Sequence, residues 1–402
     1  MSLAAAPGHR NACTTATATS WSSCAATSRG ARARSSGRST PPAGCRRSWR
    51  PRWPTIAVRR GARSGRSCSP CSTACSIGAV ARDGFRDEGA PVIKATAVVL
   101  AWNGRRWIGP CLDSLLASDY PGLEILVVDN ASTDGTADLA ARYIPRVRLI
   151  RNRRNLGYAG GNNVGVRAAL EGGAEMVALV NQDTRVEPDW LTRIVEAARA
   201  DPRLGILSPS QWDYDGVAPD PSFLAVLAAA DPRAAQAIAA GRAVAGAVLV
   251  ETAIGAALVL RRSLIERVGL FDPLYFLYFE EADLCRRARR QGFRVAIVPG
   301  ARVYHWHGLL HPSEMSRRAS FLSFRNQFVY ELKDPARTVR RNLAAWLGLC
   351  ASEIHRCLTH ARGARGGLER ALALGAAQGW ILLNFPRILA HRARELRTAA
   401  YL

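Results

Sequence analysis

From residue 96 onward, apolar residues fall in short continuous runs, each closed by a polar or glycine-rich turn. Runs at 96–101, 123–128, 147–150 and 176–180 have the length of strands buried on both faces of a sheet. The intervening segments predict helices over about 105–117, from Ser132-Thr133-Asp134 through 143, and from a Gly/Asn-rich turn to about 170. The Ser-Thr-Asp triplet supplies N-cap chemistry for the second of these. Such alternation predicts an α/β domain. Polar groups gather at the carboxyl ends of the runs, at Asp129-Asn130 and at Asn181-Gln182-Asp183, where open α/β sheets bind ligands.

Further along, residues 212–245 are Ala-rich and less patterned, an excursion with short helices. A strand at 256–260, a short helix capped by Ser263 and a strand at 294–298 leading toward His305 follow. Beyond about residue 320 the chain reads as helices with Arg on one side and Leu, Trp and Ala on the other. The apolar run 371–385 covers only 15 residues and contains Gln378 and Asn384. A spanning helix needs ~20 apolar residues, so the run fits an interfacial amphipathic helix, or helices packed on the domain or on a second subunit.

Residues 1–90 show neither periodicity and cannot bury enough apolar surface to offset their ordering entropy. They also lack the continuous apolar core of a signal peptide. A disordered basic tail, a start assigned upstream of the true one and a nucleic-acid arm all fit this composition. The expected organisation is therefore a basic low-complexity segment over 1–90, a catalytic α/β domain over 91–320 and an amphipathic helical region over 321–402. The tail changes the reading of charge. Of the formal +23, residues 1–80 hold thirteen Arg and no Asp, Glu or Lys, leaving +10 without them. Bulk charge then no longer calls for a specific nucleic-acid partner. Six of the ten cysteines lie in the same segment. Cys68, Cys71 and Cys75 lack the nearby His or second Cys pair of a zinc site, and reduced cytoplasmic chemistry is the default.

The densest chemistry is Leu277-Tyr278-Phe279-Glu280-Glu281-Ala282-Asp283-Leu284-Cys285, with His305 following 22 residues after Asp283. Three carboxylates in four positions repel one another and are costly to bury, so a chain groups them for a cation, a proton transfer or solvent. A solvated helix N-terminus, favoured by the dipole, is the plain alternative. With Asp183 as a second acidic position, the pattern suggests a metal and a general base around a phosphate-bearing substrate.

Five segments, in order and at compatible spacing, resemble the bacterial family-2 glycosyltransferases, especially their rhamnosyltransferase-like branch. They are Val98-Val99-Leu100-Ala101-Trp102-Asn103-Gly104; Ile125 through Asp129-Asn130-Ala131-Ser132-Thr133-Asp134-Gly135-Thr136; Asn155-Leu156-Gly157-Tyr158-Ala159-Gly160-Gly161-Asn162-Asn163; Leu179-Val180-Asn181-Gln182-Asp183-Thr184; and Gly269-Leu270-Phe271-Asp272-Pro273 through Glu280-Glu281-Ala282-Asp283-Leu284 to Val303-Tyr304-His305. The likeness covers roughly residues 95–330. It implies a GT-A-type nucleotide-binding sheet flanked by helices, followed here by a C-terminal helical extension. It also implies inverting sugar transfer from a nucleoside-diphosphate donor, dTDP-rhamnose ahead of UDP-sugars, to a lipid-linked or cell-envelope glycan. The enzyme would work at the cytoplasmic face of the membrane, as a peripheral protein without spanning helices, and a homo-oligomer is compatible with this.

Carried over residue by residue, the resemblance places Ala101, Asn103, Asp129, Asn130, Ser132, Gly157, Gly160, Gly161, Asn162 and Gln182 around the donor nucleotide. Asp129 could accept hydrogen bonds from a nucleobase or ribose. The three glycines allow close backbone approach, and the helix after them offers N–H groups to an anion. Asp183 takes the second acidic place of the family's Asp-x-Asp motif, whose first place is Asn181. With His305 these would hold Mn²⁺ or Mg²⁺, the imidazole leaning toward Mn²⁺. His307 is the weaker ligand candidate. Glu281 is the base candidate, crowded by Glu280 and Asp283, and Asp283 could instead orient the base or hold an acceptor hydroxyl. Arg325, in Arg325-Asn326, could touch the diphosphate. Phe276, Tyr278, Phe279 and Trp306 offer an apolar platform for a sugar, or core packing. A processive synthase is disfavoured by the lack of a Gln-x-x-Arg-Trp motif. A small natural-product acceptor and a catalytically silent sugar-nucleotide-binding scaffold are the other readings.

Overall fold

Side chains alternate between two cores along the first strand, and this alternation organises the whole domain. The computed structural model describes residues 91–306, 316–360 and 365–396, so the basic segment 1–90 and His307 lie outside the described residues. Strand β1 (Ala95–Ala101) is followed by α1 (Ile108–Leu116), β2 (Leu123–Asp129), α2 (Thr136–Ala141), β3 (Arg148–Arg151), α3 (Gly157–Glu171) and β4 (Met176–Asn181). Then come β5 (Thr184–Val186), α4 (Trp190–Ala200), β6 (Leu204–Asp213), α5 (Pro221–Ala230), α6 (Pro232–Ala239) and β7 (Val248–Leu249). After these follow β8 (Ala257–Arg261), α7 (Arg262–Val268), α8 (Glu280–Arg290) and β9 (Arg294–His305). Four helices close the chain: α9 (Arg317–Lys333), α10 (Val339–His360), α11 (Arg365–Leu383) and α12 (Phe385–Arg394).

The strands form one mixed sheet in the order β3-β2-β1-β4-β8-β6-β9-β5, with β7 on β9. The first four are parallel, β8 runs antiparallel between β4 and β6, and β5 runs antiparallel to β9. Val98, Leu126 and Leu179 face a core built with α3, α5, α6, α7 and α8. Val99, Val127 and Val180 face the other, under α1 and α4. This period of two explains why the runs are apolar throughout, since both faces are covered. Gly161 and Gly165 bring α3 down onto β1; a Cβ at either would collide with Leu100 or Val98.

The expected α/β sheet with a C-terminal helical extension is present. A third core joins Leu274 and Tyr275 to α9, α10 and α11 through Phe324, Phe328, Leu349, Ala377 and Ile381. The boundary expected near residue 320 falls inside α9. Other local expectations shift. Helix α1 starts at Ile108, because Gly104 and Trp107 form a turn whose N–H groups return to the Gly104 carbonyl. The cap position of α2 is Gly135 at φ 87°, while Asp134 accepts from Thr136 N–H at 3.0 Å. Ser263 lies within α7 rather than capping it. The 212–245 excursion carries α5 and α6, capped by Asp220 and Asp231, and buries Phe223, Leu227 and Ile238. Among the described residues, no helix is long and apolar enough to cross a membrane.

Candidate active site

The ends of β4 and β9 meet where β5 turns back along β9. Thr184 pairs with His305, which brings the residues flanking both strand ends together. His305 Nε2 lies 3.2 Å from Asp183 Oδ1 and 3.4 Å from Asn181 Nδ2. The Trp306 N–H donates to the Asp183 carbonyl at 3.0 Å, fixing the turn. One carboxylate, one imidazole and one amide thus converge in a partly open position. This donor set fits a hard or borderline divalent cation completed by substrate oxygens. Among the described residues no third His, Cys, Asp or Glu joins them, so Asn181 would have to contribute its amide oxygen.

Glu281 sits across the Gly255-Ala256 segment from this group. Asn181 N–H donates to the Ala256 carbonyl at 3.0 Å, and a Cβ on Gly255 would collide with Glu281 Oε1. Without a Cβ at Gly255, the carboxylate can lie against the backbone. Burial pushes the Glu281 carboxyl up to about 7. Glu280, 2% exposed, is pushed well above the carboxylate range by burial and then by the charge of Glu281. Tyr158 was not singled out from the sequence. Its hydroxyl donates to the Gly255 carbonyl at 2.8 Å, and burial, Glu281, Glu280 and Asp183 all raise its pKa. Tyr158 is therefore near both halves of the site. Asn162 is buried beside its hydroxyl. An aromatic directly after a glycine at the start of a helix, in Gly157-Tyr158-Ala159-Gly160, was the available signal.

The donor-side residues divide into two kinds. Asp129 ends β2, is 3% exposed, and accepts from Ser132 N–H at 3.2 Å through Oδ2, while its buried Oδ1 has no hydrogen-bond partner among the described residues. An orphaned buried acceptor costs about 1–3 kcal/mol, and a ligand N–H or O–H would remove that cost. The others brace the loops. Asn130 N–H donates to the carbonyl of Ala101. Asn103, at φ 47°, accepts from Thr133 N–H and donates its own N–H to Ser132 Oγ. Gln182 exchanges two 3.0 Å bonds with the backbone of Trp102. The Asn130 amide is fully engaged by Asn152, Asn155, Leu156 and Gly157.

The start of α3 departs from expectation. The Phe276 carbonyl accepts from Tyr158 N–H at 2.6 Å and Ala159 N–H at 3.3 Å, and Asn155 Oδ1 accepts from Gly157 N–H. These donors are taken by protein, so this helix end does not present them to an anion. Gly157, at φ 74°, admits Phe276 rather than a ligand, Gly161 serves packing on β1, and a Cβ on Gly160 would press on Leu156.

Asp283 and Arg325 are held apart from this group. Asp283 is fully buried, accepting from Tyr275 O–H at 3.0 Å, Arg287 Nε at 2.9 Å and Lys333 Nζ at 3.0 Å. Burial opposes its charge, but Lys333, Arg287 and Arg286 hold its carboxyl far below the usual range. Lys333 also meets Asp272 at 2.5 Å and Glu395 at 2.8 Å. With its oxygens so occupied, Asp283 is placed to hold the helix rather than an acceptor hydroxyl. Arg325, 8% exposed, donates to the Leu274 and Tyr275 carbonyls at 3.0 and 2.6 Å, and burial pushes its guanidinium down to about 10. Its Nη2 is thus committed to the turn preceding α8 and its Nε to Asn326, in place of the diphosphate contact expected for it. In that turn Phe276, Tyr278 and Phe279 adopt φ of 65°, 75° and 70°, each costing about 1–2 kcal/mol for a residue bearing a Cβ. Of the four proposed platform aromatics, Trp306 stands apart, stacked on Trp107 with ring centroids 4.7 Å apart.

Residues 96–267 match the family described as Glycosyl transferase family 2, a span that ends before α8 and His305. Over 221 residues the chain is 34% identical to the N-acetylglucosaminyl-diphospho-decaprenol L-rhamnosyltransferase of Mycobacterium tuberculosis, covering 49% of this chain and 72% of that protein. It is 25% identical over 215 residues to the low-salt glycan biosynthesis hexosyltransferase Agl10 of Haloferax volcanii, covering 51% and 66%. Among solved structures, S. aureus TarS 1-349 in complex with UDP-GlcNAc aligns with a TM-score of 0.47 at 17% identity, covering 71% and 80%.

Proposed function

The chain belongs to glycosyl transferase family 2, and from that premise we propose that it transfers one sugar, with inversion, from a nucleoside-diphosphate donor to a hydroxyl of a lipid-linked or cell-envelope glycan. The donor is dTDP-rhamnose in this reading, a choice supported by likeness to the rhamnosyltransferase; a UDP-sugar is the alternative. The observation that carries the reaction type is the joining of two half-sites through Gly255-Ala256: Glu281 on one side, and Asp183, His305 and Asn181 on the other.

In this mechanism Asp129 receives the nucleoside through its unpartnered Oδ1. Asp183 and His305, with the Asn181 amide oxygen, would hold Mn²⁺ or Mg²⁺, which when bound neutralises charge on the leaving diphosphate. Glu281 accepts the proton of the acceptor hydroxyl as that oxygen forms a bond to the anomeric carbon. The bond from this carbon to the diphosphate oxygen breaks on the opposite face, and the nucleoside diphosphate leaves with the electron pair. A carboxyl near 7 suits this role, since a base works best close to the operating pH. Tyr158 supports it by holding Gly255 in place.

Contact with the cytoplasmic face of an anionic membrane completes the proposal. Leu368, Leu372, Leu382 and Leu383 line the exposed side of α11, and residues 317–402 carry fifteen Lys and Arg against five Asp and Glu. Apolar burial at the interface combined with basic charge favours anionic lipid. The test is release of nucleoside diphosphate from dTDP-rhamnose in the presence of N-acetylglucosaminyl-diphospho-decaprenol, with Mn²⁺ or Mg²⁺, and in parallel from UDP- and GDP-sugars. Sugar-dependent release with a new glycolipid product is the expected result. No release from any donor by folded protein would leave a silent scaffold as the better reading.

A further inference from the structure

We propose that Arg325 and Asn326 of α9 are positioning residues for the transfer: they clamp the turn over residues 274–279 in the backbone shape that presents Glu281 at the start of α8. The inference rests on Glu281 being the base. Three residues of this turn bearing a Cβ, Phe276, Tyr278 and Phe279, occupy the left-handed region. Such a conformation persists only where surrounding contacts over-determine it, and it gathers at functional sites. Here those contacts are carbonyl captures. Asn326, wholly buried, shares the two N–H groups of its Nδ2 among the carbonyls of Tyr275, Leu277 and Tyr278, at 2.7, 2.6 and 2.9 Å. Arg325 holds the Leu274 and Tyr275 carbonyls, and its Nε donates to Asn326 Oδ1 at 2.8 Å, locking the amide.

The held turn has two outputs. Its Phe276 carbonyl caps α3 at Tyr158 and Ala159, which places the Tyr158 side chain against Gly255. Its last residue, Phe279, accepts from Asp283 N–H at 3.0 Å and so begins the helix whose second residue is Glu281. One pair of side chains on α9 therefore sets both the carboxylate and the glycine backbone it lies against. Neither Arg325 nor Asn326 touches the metal candidates or Asp129 in any of these contacts.

The test compares Asn326→Ala, Arg325→Lys, Glu281→Gln and the Asn326→Ala/Glu281→Gln double variant in the full chain. Amide hydrogen exchange, which needs no substrate, should rise in peptides covering 155–162 and 274–284 in Asn326→Ala while β1, β2 and β4 stay protected. Turnover of dTDP-rhamnose with N-acetylglucosaminyl-diphospho-decaprenol should fall about 100-fold, as expected for a misplaced catalytic group, with dTDP affinity unchanged. Arg325→Lys should show the same pattern at about tenfold, and carries the test if Asn326→Ala does not fold. The double variant should be no slower than Glu281→Gln alone, because residues acting as a unit are non-additive. Unchanged exchange at 274–284, near-normal turnover in both clamp variants, or a further drop in the double variant would each overturn the proposal. Near-normal turnover in Glu281→Gln overturns the assignment of the base instead, a result readable separately from the exchange data.

Discussion

Glu281 and Asp283 are two residues apart in the first turn of one helix, yet they have opposite environments. Glu281 is half-buried against the Gly255 backbone, with no cation paired to it among the described residues, and its carboxyl rises to about 7. Asp283 is fully buried among Lys333, Arg286 and Arg287 and stays ionised far below the usual range. Burial acts on both in the same direction; the three cations around Asp283, first among them Lys333, decide the outcome there. The first is suited to exchanging a proton and the second to anchoring the helix that carries it. Proximity along the chain therefore says little about role, and the partner charges say a great deal.

The sharpest way to break the comparison is Glu281→Gln, which keeps shape and removes the base. Turnover should fall by ~10²–10⁴, with nucleotide affinity intact by calorimetry; near-normal turnover would end the assignment. Lys333→Met attacks the other side. It leaves the buried carboxylates of Asp272, Asp283 and Glu395 without their shared cation, and should lower unfolding free energy by about 3–5 kcal/mol, read by urea titration. A loss below 1 kcal/mol would mean that Arg286 and Arg287 suffice.

Asp183→Ala should weaken dTDP-rhamnose binding in the presence of Mn²⁺ by about tenfold or more and leave metal-free binding unaltered, as expected if one ligand of the proposed metal is lost. Equal metal dependence in the variant would move the metal elsewhere. The pH dependence separates the two carboxylates directly. Because the base must be deprotonated, kcat should rise with pH through about 7 and level above it. Asp283, ionised throughout, should contribute nothing to that limb. A flat profile from pH 5 to 8 with chemistry rate-limiting would contradict the raised Glu281 carboxyl. Gly255→Ala should have the smallest effect, about a tenfold fall in kcat. The added Cβ displaces only the flexible end of Glu281.

Much of the fold was legible. Strands β1, β2 and β4 appear as apolar runs because both their faces are covered, whereas β3, at the sheet edge, shows only its central Leu149-Ile150 between exposed arginines. Strand β5 has three residues and was missed, since so short a piece has no period to read. Helix α4 was also missed, although Trp190, Leu191, Ile194, Val195 and Ala198 follow a helical spacing that was there to be found. In the site, Asp183, Asn181 and His305 were grouped from their motifs and do meet. The reading of the α3 start as an anion site failed because its capping acceptor, Phe276, comes from more than a hundred residues further on. Arg325 was assigned to a ligand for the same reason: its carbonyl partners lie about fifty residues upstream.

The amino-acid sequence by itself determined the family, the alternating α/β order and the short roster of groups able to do chemistry. Those follow from residue type and local spacing, through side-chain period and strand-end position. Only the tertiary structure decided which carboxylate titrates near neutrality and which stays ionised, and which glycines serve packing. Charge state depends on burial and on partners such as Lys333 and Glu395, which reach Asp283 and its neighbours from fifty and more than a hundred residues away.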